Sequence, residues 1–546
     1  MSTSETVRPV EWLTEKVRDL DIPDDETVFD LVFGGITDEE RDRPAITDVS
    51  TGQTLTLGEF RDRVEALAGA LAARGIGVGD VVGLQAPNGI AYALAFHGIM
   101  RAGATITPIG ALATAKDVEF QLRDSGAGSL LYIDKLGPAG AEGAERAGVD
   151  MTVALDDPAA GLAALLTEGE PAPEIDIDPL THVAALPYSS GTTGRPKGVR
   201  LSHHNLTANI RQTVAMLSLN GLRPGWTVMG PLPFFHIYGM NSMLNTIVAA
   251  RCHLLTMPKF DLHLFLEAHQ KYGVQYTYVA PPIMVGLAKH PAVDEFDLSS
   301  LEFMLSGAAP LDEELADAVA KRIGCDVIQG YGMTETSPLA TAHVRGQGDI
   351  GSIGTPAPNT EAKLVDLLDP DLAEIPVPGP GDPQAEGVPE GHSRDGELWI
   401  RGPQVMLGYH DNEEATAGAL TPDGWLRTGD IARYNANGRL LIVDRAKELI
   451  KYKGYQVAPA ELEALLLTHD SVADSAVVPW RRPEDGEEVP RAFVVLKEGH
   501  ELGEEQLKDW VAERVAPYKK IRRIDFIEQI PKSVSGKILR RELRDR

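Results

Sequence analysis

Cysteine is nearly absent: Cys252 and Cys325 are the only two in 546 residues. They lie far apart and outside any paired motif, which argues against a disulfide framework or a structural zinc site and fits a reducing compartment. Long apolar runs are lacking too. No stretch approaches the ~18 apolar residues of a membrane span, and the acidic, interrupted segment Met1 to Leu20 has no signal-peptide core. Positive charge is in deficit, with 51 Lys and Arg against 80 Asp and Glu and a net charge of −29. So acidic a chain has no basic footprint for nucleic acid, and any polyphosphate ligand must meet a local basic patch. The final Leu-Arg-Asp-Arg matches no peroxisomal or lipidation signal, so a cytoplasmic location is expected.

What is present reads as a globular protein of more than one domain: 43% of residues are hydrophobic and 24% charged, and the length exceeds one ordinary core. Apolar residues at helical spacing (Phe60, Val64, Leu67, Leu71) precede an apolar strand, Val81–Leu84. A helical run over Ile90–Ala102 then leads into Ala104–Pro108. Later, an amphipathic helix over Leu311–Ile323 ends at Gly324 before the strand-like Cys325–Ile328. This alternation predicts an α/β fold whose N-terminal part has parallel-type sheets covered by helices. Functional loops in such folds gather at the carboxyl ends of strands. Residues Pro370 to Ser393 hold six prolines and read as an exposed loop between hairpin strands. Beyond residue 444 the order becomes charged turn, helix (Pro459–Leu467), strands (Val472–Pro479 and Arg491–Leu496), helix (Glu504–Val515) and strand (Ile521–Ile527). That is an α+β unit of about 100 residues, long enough to fold separately. The expected division is 1–444, a junction at 445–447, and 448–546.

The densest chemical signal is Leu186 to Val199. It packs five hydroxyl side chains (Tyr188, Ser189, Ser190, Thr192, Thr193), three glycines (Gly191, Gly194, Gly198) and Lys197 into one loop. Glycines let backbone N–H groups close around an anion, hydroxyls add donors, and lysine adds a mobile charge. The loop is suited to nucleotide phosphates, or else is a polar surface turn. It is not a Walker loop, because Pro196 stands where that spacing needs glycine.

Other motifs are weaker alone. In Gln329 to Thr336 the glycines permit close approach to a planar ligand, Tyr331 offers a stacking face, and Thr334 and Glu335 offer oxygen donors. One carboxylate beside phosphates is a usual way to hold Mg²⁺, but a tight turn with a solvated glutamate fits equally. His236, among aromatics in Pro231 to Gly239, reads as a core or gating residue sooner than a catalyst. Asp430 ends a glycine-bounded turn, where it suits a ribose hydroxyl or an ordinary Asx-turn. Finally, Lys519 to Arg546 holds ten Lys or Arg against four Asp or Glu and places Lys537 on a Ser/Gly loop, a basic patch of use to phosphate or a solvated tail.

Together these motifs, in this order from about Val28 to Leu543, resemble the adenylate-forming superfamily of acyl-CoA synthetases, luciferase-type ligases and adenylation domains. The 4-coumarate:CoA ligase branch is the nearest in pattern, with Leu305 to Leu311 and Asp444 to Glu463 contributing. The resemblance implies an AMP-forming carboxylic acid–thiol ligase: acid and ATP give acyl-AMP and pyrophosphate, and the thiol of coenzyme A then displaces AMP. It implies that Ser189, Ser190, Gly191, Thr192, Thr193, Gly194 and Lys197 hold the outer phosphates. Thr334 and Glu335 then serve the α-phosphate and Mg²⁺, with Asp430 and Arg445 on the ribose. Ala308, Ala309 and Pro310, with the Gly330, Tyr331, Gly332 and Met333 stretch, frame the adenine. Lys537 bridges acyl carboxylate and α-phosphate. The small C-terminal domain is expected to be mobile, swinging about Lys447 to withdraw Lys537 and bring the Gly454 loop to the thioester site, while Lys451 and Gln456 on that loop contact the nucleotide or assist catalysis.

The acyl pocket is expected from Tyr238, Ser242, Leu305, Ala308, Gly332 and Leu339, with His236 near the carboxylate or gating the tunnel. Its small, apolar lining shows no base for a second carboxylate, favouring a hydrophobic aryl or alkyl monoacid, with 4-coumarate itself a weak candidate. Delivery of the acyl group to a carrier protein's phosphopantetheine, in place of free coenzyme A, is the alternative. A monomer and a homodimer are equally compatible with the sequence.

Overall fold

The structure, a computed structural model, describes residues 19–189, 196–307, 311, 313–346, 349–379, 388–445, 448–452, 455–482, 487–515, 519–532, 538–544 and 546. Among these residues no helix is long and apolar enough to cross a membrane.

Two large sheets are parallel at their centres. In the first, Val81–Gln85 lies between Thr105–Ile109 and Ser129–Tyr132, parallel to both. At its far side Val183–Ala185, Lys197–Ser202 and Gly408–Tyr409 continue it through antiparallel pairs. In the second, Thr227–Met229, Tyr276–Val279, Phe303–Ser306 and Asp326–Gly332 run parallel in that order. A third sheet of five strands, including Gly396–Arg401, Leu426–Tyr434 and Leu440–Arg445, is antiparallel throughout. Sequence alternation points to the first two sheets; the third arises from hairpins around the proline-rich loop, whose residues 380–387 lie outside the described set.

The helices follow their apolar spacing. Leu57–Ala72 begins in a capping box, with Glu59 N–H donating to Thr56 Oγ1 at 3.2 Å, and buries Phe60, Val64, Leu67 and Leu71. It packs on Ile90–Arg101 closely enough that a methyl at Gly98 would stand 2.8 Å from Leu67 Cδ2. That second helix is buried on nearly every side, as a helix between sheets must be.

The C-terminal part is a small α+β unit with its own core. Val472–Arg481, Glu488–Leu496 and Arg523–Phe526 form a three-stranded sheet, against which Pro459–Leu467 and Glu504–Ala512 bury Leu462, Leu466, Leu507 and Val511. The chain is thus a large domain of sheets and helices followed by a small one.

Candidate functional site

Edges of all three large sheets meet around the glycine-rich motifs. Strand Tyr188–Ser189 pairs antiparallel with Lys197–Ser202, Ser189 opposite Lys197, so the two ends of the phosphate-loop candidate lie side by side. Ser190, Gly191, Thr192, Thr193 and Gly194 lie outside the described residues. Ser189 Oγ is buried with no hydrogen-bond partner among the described residues, an unsatisfied donor at the end of a strand. Tyr188, by contrast, commits its hydroxyl to Asp124 Oδ2 at 2.7 Å, so one of the five hydroxyls read in the loop serves the scaffold. After Ser202, which caps helix His203–Leu219, Asn205 Nδ2 donates to the carbonyls of Pro403 (2.8 Å) and Val405 (2.9 Å). Met406 N–H in turn donates to the Glu335 carbonyl at 3.0 Å. Hydrogen bonds through the Asn205 side chain and the 403–406 backbone therefore join the loop strand to the second motif.

That motif follows strand Asp326–Gly332 as a single 3-10 turn, Thr334–Thr336. Ser337, at φ 69°, ends the turn, donating from Oγ to the Gln404 carbonyl at 2.9 Å. Glu335 is 5% exposed. Its Oε1 accepts the Tyr409 hydroxyl at 2.9 Å, while Oε2 has no hydrogen-bond or ion-pair partner among the described residues. The Lys197 ammonium sits 4.7 Å from the centroid of the same Tyr409 ring. No cluster of three or more His, Cys, Asp or Glu able to hold a metal occurs among the described residues. One nearly buried carboxylate with an open oxygen fits a Mg²⁺ ion that keeps waters and takes its remaining ligands from phosphates.

The structure brings Tyr331 and Asp430 together: the Tyr331 hydroxyl donates to Asp430 Oδ2 at 2.6 Å. Asp430 faces Arg445 in the antiparallel ladder, Nε to Oδ1 being 3.3 Å. Burial, and next the Asp430 charge, hold the Tyr331 phenol well above its ordinary pKa, so it remains a donor.

The expected acyl lining converges in part. Tyr238 opens a π-helical stretch, Tyr238–Asn245, and its hydroxyl donates to the Leu305 carbonyl at 3.2 Å. A methyl at Gly330 would touch both Leu339 and Leu305 at 3.4–3.5 Å, placing those three side by side. Ser242 is buried and its carbonyl accepts the Tyr278 hydroxyl. His236 lies tilted against Phe235, ring centroids 4.1 Å apart, and burial pulls its pKa down to about 4. Phe235 in turn covers Gly110, at the end of a first-sheet strand. Gly332 does not behave as a spacer for substrate on its Cβ side: a methyl there would overlap the Pro338 carbonyl oxygen.

Several candidates fall outside the described residues: Ala308, Ala309, Pro310, Lys447, Gly454 and Lys537. Lys451 and Gln456 are paired across a short hairpin by their backbones. The loop carrying Lys537 is closed at its base, where Lys532 bridges Ile538 and Leu539 N–H donates to the Pro531 carbonyl at 2.9 Å. Sequence reasoning missed Tyr409. Its partner Glu335 is 74 residues away, and only the glycine before it, Gly408, marks an unusual backbone at φ 137°.

Comparison with known proteins accounts for this arrangement. The family pattern described as AMP-binding enzyme matches residues 36–410, and that of the AMP-binding enzyme C-terminal domain matches 461–537. 4-Coumarate–CoA ligase 5 of Oryza sativa subsp. japonica is 39% identical, over 97% of this chain and 96% of its own length. 4-Coumarate–CoA ligase of Vanilla planifolia is also 39% identical, over 97% and 95%. Among solved structures, ATP-bound MatB from Rhodopseudomonas palustris superposes with a TM-score of 0.84 at 26% identity, covering 95% of this chain and 98% of that one. MenE from Bacillus subtilis, in complex with its acyl-adenylate intermediate, gives 0.79 at 26%, with the same coverage. The chain belongs to the AMP-binding enzyme family, among its AMP-forming acid–CoA ligases.

Proposed function

We propose that this enzyme converts a hydrophobic aryl or alkyl monocarboxylic acid, ATP and coenzyme A into the acyl-CoA thioester, AMP and pyrophosphate. The observation that carries the reading is the meeting of Lys197 and Glu335 at one tyrosine ring. It sets an ammonium and a metal-type carboxylate from two distant motifs beside the same side chain. A carboxylate resists thiol attack because its carbonyl is electron-rich and its leaving group would be oxide. A carboxylate oxygen therefore attacks the α-phosphorus of ATP, the α–β bridging P–O bond breaks, and pyrophosphate leaves. The thiolate of coenzyme A then attacks the mixed anhydride and expels AMP, the thiol proton passing to solvent. Neither step needs a covalent bond to the protein, so positioning and charge neutralisation supply the rate.

In this reading Ser189 and Lys197, with the loop between them, hold the outer phosphates. Asp430 and Arg445 orient the ribose, Tyr331 lies against the base, and Thr334 hydrogen-bonds the α-phosphate. Glu335 would hold Mg²⁺, which supplies neutralisation of phosphate charge when bound. Tyr238, Leu305 and Leu339 shape an apolar acyl pocket without a basic residue, which favours a monoacid. Neutral His236 offers the substrate carboxylate a hydrogen bond or closes its path. We place the division of the chain at 1–444, 445–447 and 448–546, with Lys447 as the hinge and Lys537, Lys451, Gly454 and Gln456 as residues of the moving part.

A screen of pyrophosphate release over some fifty carboxylic acids, followed by thioester detection with coenzyme A and with carrier proteins, tests the proposal. Acid-dependent release with acyl-CoA as product is expected. Thioester on carriers alone would select the carrier-loading alternative, and no release with any acid would sink the reading.

A further inference from the structure

Tyr409 belongs to neither glycine-rich motif, yet its side chain touches both. Its hydroxyl donates to Glu335 Oε1 at 2.9 Å, and its ring face lies 4.7 Å from the Lys197 ammonium. Among the described residues Lys197 and Glu335 form no direct ion pair, although opposite charges sharing one partner in a half-buried site attract. The ammonium lies over the face of the ring, while the carboxylate is held at its hydroxyl end.

Its own backbone is fixed from three directions. Strand Gly408–Tyr409 pairs with the strand that carries Lys197, Tyr409 opposite Val199. Tyr409 N–H donates to Thr416 Oγ1 at 2.9 Å, and His410 N–H donates to the Gly198 carbonyl at 2.8 Å. Gly408 permits this seat: its φ is 137°, and a methyl there would lie 2.7 Å from Thr416 Cγ2. Tyr409 is thus anchored to the scaffold of the very strand whose lysine it meets.

We infer that Tyr409 is a positioning residue with two separable roles, an inference that rests on the ligase reading above. Its hydroxyl orients the Glu335 carboxylate so that Oε2 is presented to the metal of metal·ATP. Its ring keeps Lys197 and Glu335 from neutralising one another, leaving the ammonium for the phosphates.

The two roles predict different losses. A carboxylate freed of one hydrogen bond rotates about its last torsion and must be ordered when the metal binds. Loss of a hydrogen bond to a charged group corresponds to about tenfold in affinity or more. Loss of the ring also removes the cation–π contact and lets the lysine collapse onto the glutamate.

The experiment compares wild type, Tyr409→Phe and Tyr409→Leu by three measurements. Mn²⁺ affinity in the presence of ATP is read by electron paramagnetic resonance. ATP affinity without divalent metal is read by calorimetry. Melting temperature is read in parallel. Tyr409→Phe is expected to weaken Mn²⁺ binding about tenfold while leaving metal-free ATP affinity unchanged. Tyr409→Leu is expected to weaken both, with the Mn²⁺ concentration for half-maximal pyrophosphate release raised to match. Mn²⁺ affinity in Tyr409→Phe equal to wild type overturns the inference, as does a lowered melting temperature in both variants with metal binding intact. Wild type inactive with every acid would sink the ligase reading instead, so the two failures are distinguishable.

Discussion

At His236 the balance between burial and charge decides what the side chain can offer a carboxylate substrate. Phe235 packs against its ring and burial lowers its pKa to about 4, so the imidazole is neutral throughout the working range of most enzymes. A neutral imidazole can donate one hydrogen bond to a carboxylate but brings no compensating charge. The KM for the acid is accordingly expected to show no inflection between pH 6 and 8 that belongs to His236. His236→Gln, which keeps a donor, should leave the shape of that profile unaltered while changing its level less than tenfold. Steady-state kinetics across this range provides the check; a wild-type inflection near pH 6.5 that vanishes in the variant would show a charged imidazole at work. The charge that meets the substrate is then left to lysine.

Between elements, close backbone approach explains a residue whose role looked different in the sequence. Gly332 reads there as room for an acyl group, but the strand Leu339–Ala342 folds back so that Pro338 takes the space a side chain would need. Gly332→Ala is expected to cost about 3 kcal/mol, the upper end of overpacking, and to weaken ATP binding by disturbing the Glu335 turn. Denaturant unfolding with nucleotide titration measures both, and a variant as stable as wild type would return Gly332 to the acyl pocket. The strands and helices around it were legible from apolar spacing and glycine stops, because those signals are local. The register that sets Pro338 against Gly332 was not, and neither was Tyr409, since each depends on a partner the chain reaches only after folding back.

Asp444 makes a similar long connection between the last strand of the third sheet and the small domain: its Oδ2 accepts the Ala460 N–H at 2.9 Å. Burial is the largest influence on this carboxyl and raises its pKa to about 6. The folded protein therefore holds a proton that the unfolded chain releases near pH ~4. The resulting stabilisation is complete below that value and is lost as pH rises through about 6. Asp444→Asn should abolish a pH-dependent loss of about 1 kcal/mol between pH 5 and 7, read by melting at both pH values. Equal slopes in variant and wild type would discount the buried carboxyl.

For the whole molecule, the question is how one cleft serves two chemistries that need different groups at the same phosphorus–carbon junction. Adenylation needs a cation against the α-phosphate and the attacking carboxylate; thioester formation needs that place open to a thiol. A small domain with its own core can, if it turns about the proposed hinge, present two faces in turn without unfolding, which suits a two-position device. On the proposed reading, Lys537 and Gly454 are expected to act in different half-reactions. Lys537→Ala is expected to lower adenylation by two orders of magnitude or more, as loss of a charge contact of ~3 kcal/mol implies. Transfer to coenzyme A from a supplied acyl-adenylate should persist. Gly454→Trp is expected to reverse the pattern, accumulating acyl-adenylate with little thioester, because an indole would occupy the path of the pantetheine arm. Rapid-quench assays of each half-reaction separate these outcomes. If both variants lose both steps in the same proportion, the small domain does not alternate, and its lysine and its glycine loop must serve a single arrangement of the site.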